Sequence, residues 1–212
     1  MERFEAAYNR TKDIMNRLFD AGFNLEEPLS IEYMDMPKGL EYEYGASRLV
    51  VWDNNHKDYV VKIPLREEDD KYCVREVEFY SAAVKAGLAD HFGWCAEIYD
   101  YGVRSVYAME FLTCSYSEFD ELTYNWSYEN YCSSNCIDSS LESSKREFSK
   151  VYWSTDLHNN VVLDWFEDRL GSAVAAAFDK FIYDNDIDDI HPGNVAFRGV
   201  TPVLCDYAGW DG

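Results

Sequence analysis

The chain has 212 residues, 47% hydrophobic and 17% aromatic, with 17 Tyr, 12 Phe and 6 Trp. This is ample material for a packed core, and it excludes both general disorder and a large multi-domain machine. Nineteen Lys and Arg against 40 Asp and Glu leave a formal charge of −21, which argues against binding nucleic acid or an anionic membrane surface and leaves a basic partner, a cationic substrate or metal-chelated phosphate compatible.

The opening MERFEAAYNR carries charges where a secretory signal needs an apolar core. No run approaches the roughly 20 apolar residues of a membrane span, so a cytoplasmic location is expected. Six cysteines (Cys73, Cys95, Cys114, Cys132, Cys136 and Cys205) lack paired metal-ligand spacing and read as reduced thiols.

Phe4, Tyr8, Met15, Leu18 and Phe19 recur near helical spacing, predicting a helix over residues 2–20 that Gly22 ends. From Gly39 the pattern alternates. Leu40, Tyr42 and Tyr44, then residues 48–52, then 58–63 after the turn at Asp53-Asn54-Asn55, predict three antiparallel strands. Helical period returns over residues 71–86 before Gly87, and residues 97–101 and 104–112 predict a hairpin.

Residues 113–160 are rich in Ser, Asn, Tyr and acidic groups and lack both periodicities for long stretches. They read as an insertion or linker whose aromatics pack in part. Two helices follow, from Val161 to Leu170 and from Ser172 to Tyr183. Two short strands, 195–197 and 203–205, flank a turn at Gly199.

The stretch Asp189-Ile190-His191-Pro192-Gly193-Asn194, with Asp206 after the second strand, resembles the catalytic loop and metal-binding strand of the protein-kinase-like superfamily, especially the aminoglycoside and other small-molecule kinases. Asp189 and Asn194 are five positions apart, as in that pattern. Val60-Val61-Lys62-Ile63 resembles the strand whose Lys holds the nucleotide phosphates. Glu76, 14 residues on, is preferred over Glu78 as its partner.

Gly45 and Ser47 stand where kinases have a glycine-rich loop, with only one Gly retained. Met109-Glu110-Phe111-Leu112 resembles the adenine-gripping hinge, and equally an ordinary buried strand. Asp189 and Asn194 could also simply cap a turn.

The resemblance implies an α+β, two-lobed protein-kinase-like fold: an N-terminal antiparallel five-stranded sheet with one helix, and a reduced, mainly helical C-lobe. The corresponding divisions are an N-terminal helical extension (1–38), an N-lobe (39–112), the insertion (113–160) and the C-lobe (161–212). The cofactors implied are ATP and Mg²⁺. Asp189 is the catalytic group, Asn194 and Asp206 are the metal ligands, and Gly45, Ser47, Val60, Lys62, Glu76, Met109, Glu110 and Leu112 bind the nucleotide.

The acceptor is open, a cationic small molecule or a basic protein being compatible with the charge. Departures from the pattern are Ile187 where many relatives have His, Tyr207-Ala208-Gly209 after Asp206 instead of Phe-Gly, and only six residues beyond Asp206. They keep open a catalytically inactive pseudokinase that acts as a nucleotide- or protein-binding scaffold with an acidic surface.

Overall fold

The computed structural model describes residues 1–26, 35–102, 104–113, 116–152, 155–187, 190, 192–199 and 201–207. Two compact units emerge: residues 1–89 with 93–111, and residues 90–92 with 112–212.

The first unit is a five-stranded antiparallel sheet with two long helices. The helices are α1 (Glu2–Asp20) and α2 (Asp70–Ala86). The strands are β1 (Leu40–Tyr44), β2 (Arg48–Asp53), β3 (His56–Pro64), β4 (Cys95–Asp100) and β5 (Ser105–Glu110), in the spatial order β1-β2-β3-β5-β4. β2 and β3 are joined by the short Asp-Asn-Asn turn expected from sequence, and Asp53 Oδ1 accepts the Asn55 N–H at 2.8 Å.

α1 is integral to this unit. Its Ile14, Met15 and Leu18 pack with Leu49, Val51, Val61, Ile63 and Val106 of the sheet in one buried cluster. Each such side chain contributes about 1.5–3 kcal/mol when withdrawn from water. Three arginines spaced seven residues apart along the helix tie it to three acids of the sheet. Arg3 reaches Glu110 at 2.6 Å, Arg10 reaches Asp58 at 2.9 Å, and Arg17 reaches Asp53 at 2.8 Å.

Both helices end where glycine permits a left-handed residue. At Gly22 (φ 91°) the Phe23 N–H returns to the Leu18 carbonyl at 3.0 Å. At Gly87 (φ 74°) the Leu88 N–H returns to Ala83 at 2.8 Å. In each case the residue after the glycine is buried, which fixes the exit of the chain.

The second unit is mainly helical: α3 (Tyr116–Asn135), α4 (Glu142–Tyr152), α5 (Thr155–Leu170) and α6 (Ser172–Asp184), then a hairpin of β6 (Val195–Arg198) and β7 (Thr201–Leu204). Residues 113–160, read from sequence as an insertion or linker without clear periodicity for long stretches, are largely helix among the described residues. The buried positions recur at helical spacing among many exposed Ser, Asn and acidic residues. Tyr124, Tyr128 and Cys132 recur every four residues on α3, and Ser144, Phe148 and Tyr152 do so on α4. Tyr128, Cys132, Phe148 and Tyr152 form a buried cluster.

The hydroxyls of that cluster are satisfied in place, so the polar atoms do not oppose burial. Tyr124 OH lies 2.7 Å from Ser149 Oγ, Tyr152 OH lies 3.1 Å from Thr123 Oγ1, and Tyr128 OH donates to the Ser139 carbonyl at 2.9 Å. A second aromatic core centres on Phe92, whose ring lies 5.2–5.4 Å from those of Phe178, Phe181 and Tyr207. No described helix is long and apolar enough to cross a membrane.

Candidate functional site

In an antiparallel ladder, residues directly opposite one another present their side chains to the same face. Val50 pairs with Lys62 and Lys62 with Tyr107; Trp52 pairs with Val60 and Val60 with Met109; Arg48 pairs with Pro64. Arg48, Val50, Trp52, Val60, Lys62 and Met109 therefore share one face. The opposite face carries Leu49, Val51, Val61 and Ile63 and lies under α1. Alternation along β3 thus puts Val60 and Lys62 on the sheet face that α1 leaves free, as expected from sequence.

Lys62 Nζ lies 2.9 Å from each carboxylate oxygen of Glu76, which projects from α2. The Lys62 and Glu76 side chains are 5% and 2% exposed. Glu78 is exposed, so Glu76 is the partner, in agreement with the choice made from its place in the helix. A third charge completes the group. Arg48 Nη1 lies 3.1 Å from Glu76 Oε1, with its side chain 9% exposed. Cys73, one helical turn before Glu76, is buried beside them. Burial, reinforced by the Glu76 charge, pushes its thiol up to about 12, so it remains protonated at neutral pH. Tyr107 OH donates to both Asp70 oxygens at 3.0 Å, fastening the first turn of α2 to β5.

Gly45 and Ser47 lie in the β1–β2 turn. The Gly45 N–H closes the hairpin on the Arg48 carbonyl at 3.0 Å, and the Ser47 carbonyl accepts the Leu65 N–H at 2.9 Å. Gly45 is not among the positive-φ residues, and a Cβ there would meet only the Arg48 carbonyl at 3.8 Å. The turn does not depend on glycine there, unlike a phosphate-wrapping loop.

Met109 is buried on β5. At the hinge position, the Glu110 N–H bonds the Trp94 carbonyl at 3.0 Å and the Phe111 N–H bonds Asp58 at 2.9 Å. The Glu110 carboxylate holds Arg3 and accepts the Trp94 N–H at 2.7 Å. These donors serve the fold. Leu112 is half-buried and belongs to the second unit.

In the second unit, Asn194 closes the short helical turn Pro192–Asn194 just before β6, and it is buried. Its carbonyl accepts the Cys205 N–H at 2.8 Å, extending the β6–β7 ladder by one pair. Asn194 and Asp206 therefore stand at the same end of the hairpin. Asp206 has φ 58°, a left-handed conformation that Asp tolerates better than most residues, and the fully buried Tyr207 anchors the chain after it. Asp189 lies outside the described residues. Ile187 and Ile190, on either side of it, are buried.

A cavity of about 680 Å³, lined by Trp165, Arg169, Val174, Phe197 and Thr201 among others, sits at the Gly199 end of the same hairpin, opposite the end that carries Asn194 and Asp206. Burial holds the neighbouring His91 below the usual imidazole value.

Two features of the first unit escaped the sequence reading. Arg48 carries a usable signal, because it lies two residues before Val50 in the alternation and so shares the Lys62 face. The three arginines of α1 carry a second, in their seven-residue spacing.

No protein-family model matches the chain, and no curated protein matches it. Among solved structures it is similar to the streptomycin–ATP ternary complex of APH(2'')-IIa, at 17% identity and TM-score 0.39, covering 92% of this chain and 70% of that one. It is also similar to the ADP-bound aminoglycoside phosphotransferase APH(2'')-Ib, at 16% identity and TM-score 0.40 over 80% of this chain, and it spans 65% of that protein's length.

Proposed function

We propose that this protein is an ATP- and Mg²⁺-dependent phosphotransferase of protein-kinase-like type. The observation that carries the reading is the buried Lys62–Glu76 pair. Desolvating two charges costs several kcal/mol per ion, and apolar residues of similar volume would stabilise the unit as well or better. An ion pair kept buried on the sheet face opposite α1, strand lysine to helix glutamate, therefore argues for a purpose other than stability. Holding an ammonium over nucleotide phosphates is such a purpose.

Asn194 and Asp206 fit a Mg²⁺ ion by donor type, since an amide and a carboxylate oxygen at one hairpin end are hard ligands. A bound Mg²⁺ would neutralise charge on the phosphates. Asp189 orients the acceptor hydroxyl and receives its proton. Val60 and Met109 supply apolar surface for the base beside Lys62. The acceptor class favoured by a −21 chain is cationic, a polyamine-like small molecule or a basic protein surface.

A second reading rests on the committed main-chain donors at Gly45, Glu110 and Phe111: a kinase-like scaffold that binds a partner without transfer. A transfer assay with labelled ATP across protein, aminoglycoside and simple alcohol acceptors tests the first reading, run beside a thermal shift with ATP and Mg²⁺. Label on any acceptor supports it. A midpoint unmoved by saturating ATP and Mg²⁺, with no transfer, sinks it and leaves the scaffold.

A further inference from the structure

We propose that the cavity at the Gly199 end of the β6–β7 hairpin is a second ligand site, and that it takes a flat apolar carboxylate of the aryl-acid class with Arg169 as the partner of the carboxylate. The cavity lies within the second unit, and the ladder from Val195–Leu204 to Arg198–Thr201 separates it from the end that carries Asn194 and Asp206. It therefore stands apart from the phosphotransferase reading and does not depend on it.

Its volume of about 680 Å³ is that of a small-molecule site. Trp165 and Leu170 of α5, Val174 of α6, Phe197 of β6 and Pro202 of β7 give it apolar walls, and Trp165 meets Phe197 edge-on at 6.3 Å. The chain carries 40 Asp and Glu in 212 residues, yet among the described residues none lines this cavity. The charged side chain in the lining is Arg169, because burial holds the His91 imidazole below its ordinary value and so uncharged at neutral pH. A recess without acids in so acidic a chain suits an anion, and its walls ask that the anion have an apolar body.

The Arg169 guanidinium has donors to spare. It sits over the Trp165 ring at 5.2 Å from the centroid, and its pairing with Asp168 is loose, at 3.9 Å, beyond hydrogen-bond length. The side chain is 52% exposed, so a ligand reaches it without any rearrangement of the core. The cation–π contact restrains the guanidinium beside the apolar wall and leaves its N–H edge for the two oxygens of a carboxylate. His91 Nδ1, in the same lining, is buried and makes no hydrogen bond, an unmet polar atom of the kind that ligand sites keep and finished cores do not.

The test titrates 2-naphthoate and its uncharged counterpart 2-naphthamide into the full chain by calorimetry, and repeats both on Arg169→Gln and Val174→Trp. Both positions are exposed, so neither change disturbs a packed core. Arg169→Gln is expected to weaken 2-naphthoate at least about fivefold while the amide stays within about twofold, since the charge-assisted pair is lost and the apolar contacts are not. Val174→Trp, which puts an indole where the probe would lie, is expected to weaken both at least about tenfold.

Wild type that binds neither probe, or binds the two equally, overturns the proposal. So does an Arg169→Gln variant that keeps the wild-type preference for the carboxylate. Affinities left as they were in Val174→Trp would place the probe elsewhere on the chain and overturn it as well.

Discussion

Lys62 and Glu76, 14 residues apart on a strand and a helix, meet with both carboxylate oxygens 2.9 Å from the ammonium, in a place nearly closed to water. Because Arg48 also touches Glu76, the two partners are not equivalent. Glu76→Gln leaves two buried cations without their shared anion and is expected to destabilise by about 3–5 kcal/mol. Lys62→Met leaves Glu76 still paired with Arg48 and should cost less, roughly 1–3 kcal/mol. Urea unfolding measures both. A lysine variant as damaging as the glutamate variant would show that Arg48 does not share the charge.

If the proposed roles hold, Asp189→Asn lowers turnover by about 10²–10⁴-fold at similar nucleotide affinity, because a group that takes the acceptor's proton acts chiefly in the transition state. Asp206→Asn weakens the Mg²⁺-dependent nucleotide complex itself, since a metal ligand acts in the ground state too. Single-turnover kinetics and calorimetry separate the two. Equal effects on binding would mean that the roles are misassigned.

The glycines at two turns should respond in opposite ways. Gly87 ends α2 at φ 74°, so Gly87→Ala is expected to cost about 1–2 kcal/mol. Gly45 is outside the left-handed region, and its added Cβ would meet nothing closer than 3.8 Å. Gly45→Ala should leave stability unchanged or raise it by about 0.4–1 kcal/mol, through the entropy of the unfolded chain. Thermal unfolding of the pair decides; a destabilised Gly45→Ala would show that the turn needs glycine after all.

Phe148 is 1% exposed, with the rings of Tyr124, Tyr128, Tyr131 and Tyr152 between 5.2 and 5.6 Å away. Phe148→Ala is expected to cost about 3–5 kcal/mol and to increase amide exchange in α3 and α4. Loss below 1 kcal/mol would mean that these helices are not packed as described.

Asp53 carries a pH signature. Its burial works against the charge, but the Asn55 N–H and the Arg17 guanidinium outweigh it, so its carboxyl lies below the ordinary carboxylate value in the folded state. A lowered folded value means that the stabilisation is complete above the unfolded value and is lost as pH falls through the folded one. The stability advantage of wild type over Asp53→Asn should therefore be flat above about pH 5 and shrink in more acidic solution. Denaturation curves from pH 3 to 7 check it. An advantage that grows on acidification would reverse the assignment.

The elements of the first unit were legible because each is a local pattern. Period two marks β1 to β3, helical period marks α1 and α2, and Gly22 and Gly87 stop the helices where they stand. The Lys62–Glu76 spacing and the Asn194–Asp206 hairpin were legible for the same reason, being set by short stretches of chain.

What stayed hidden depends on which distant residues meet. α3 and α4 went unread because their buried stripes are short and set among many Ser, Asn and acidic residues, and because the meeting of Tyr128, Cys132, Phe148 and Tyr152 joins two separate stretches of chain. α1 read as an extension because its arginines look like a solvated face until Glu110, Asp58 and Asp53 are brought beneath them. Arg48 read as one more strand residue, because alternation assigns a side chain to a face but not to the helix that crosses that face. The register of β2 on β3 and the seating of α2 together place its guanidinium against Glu76.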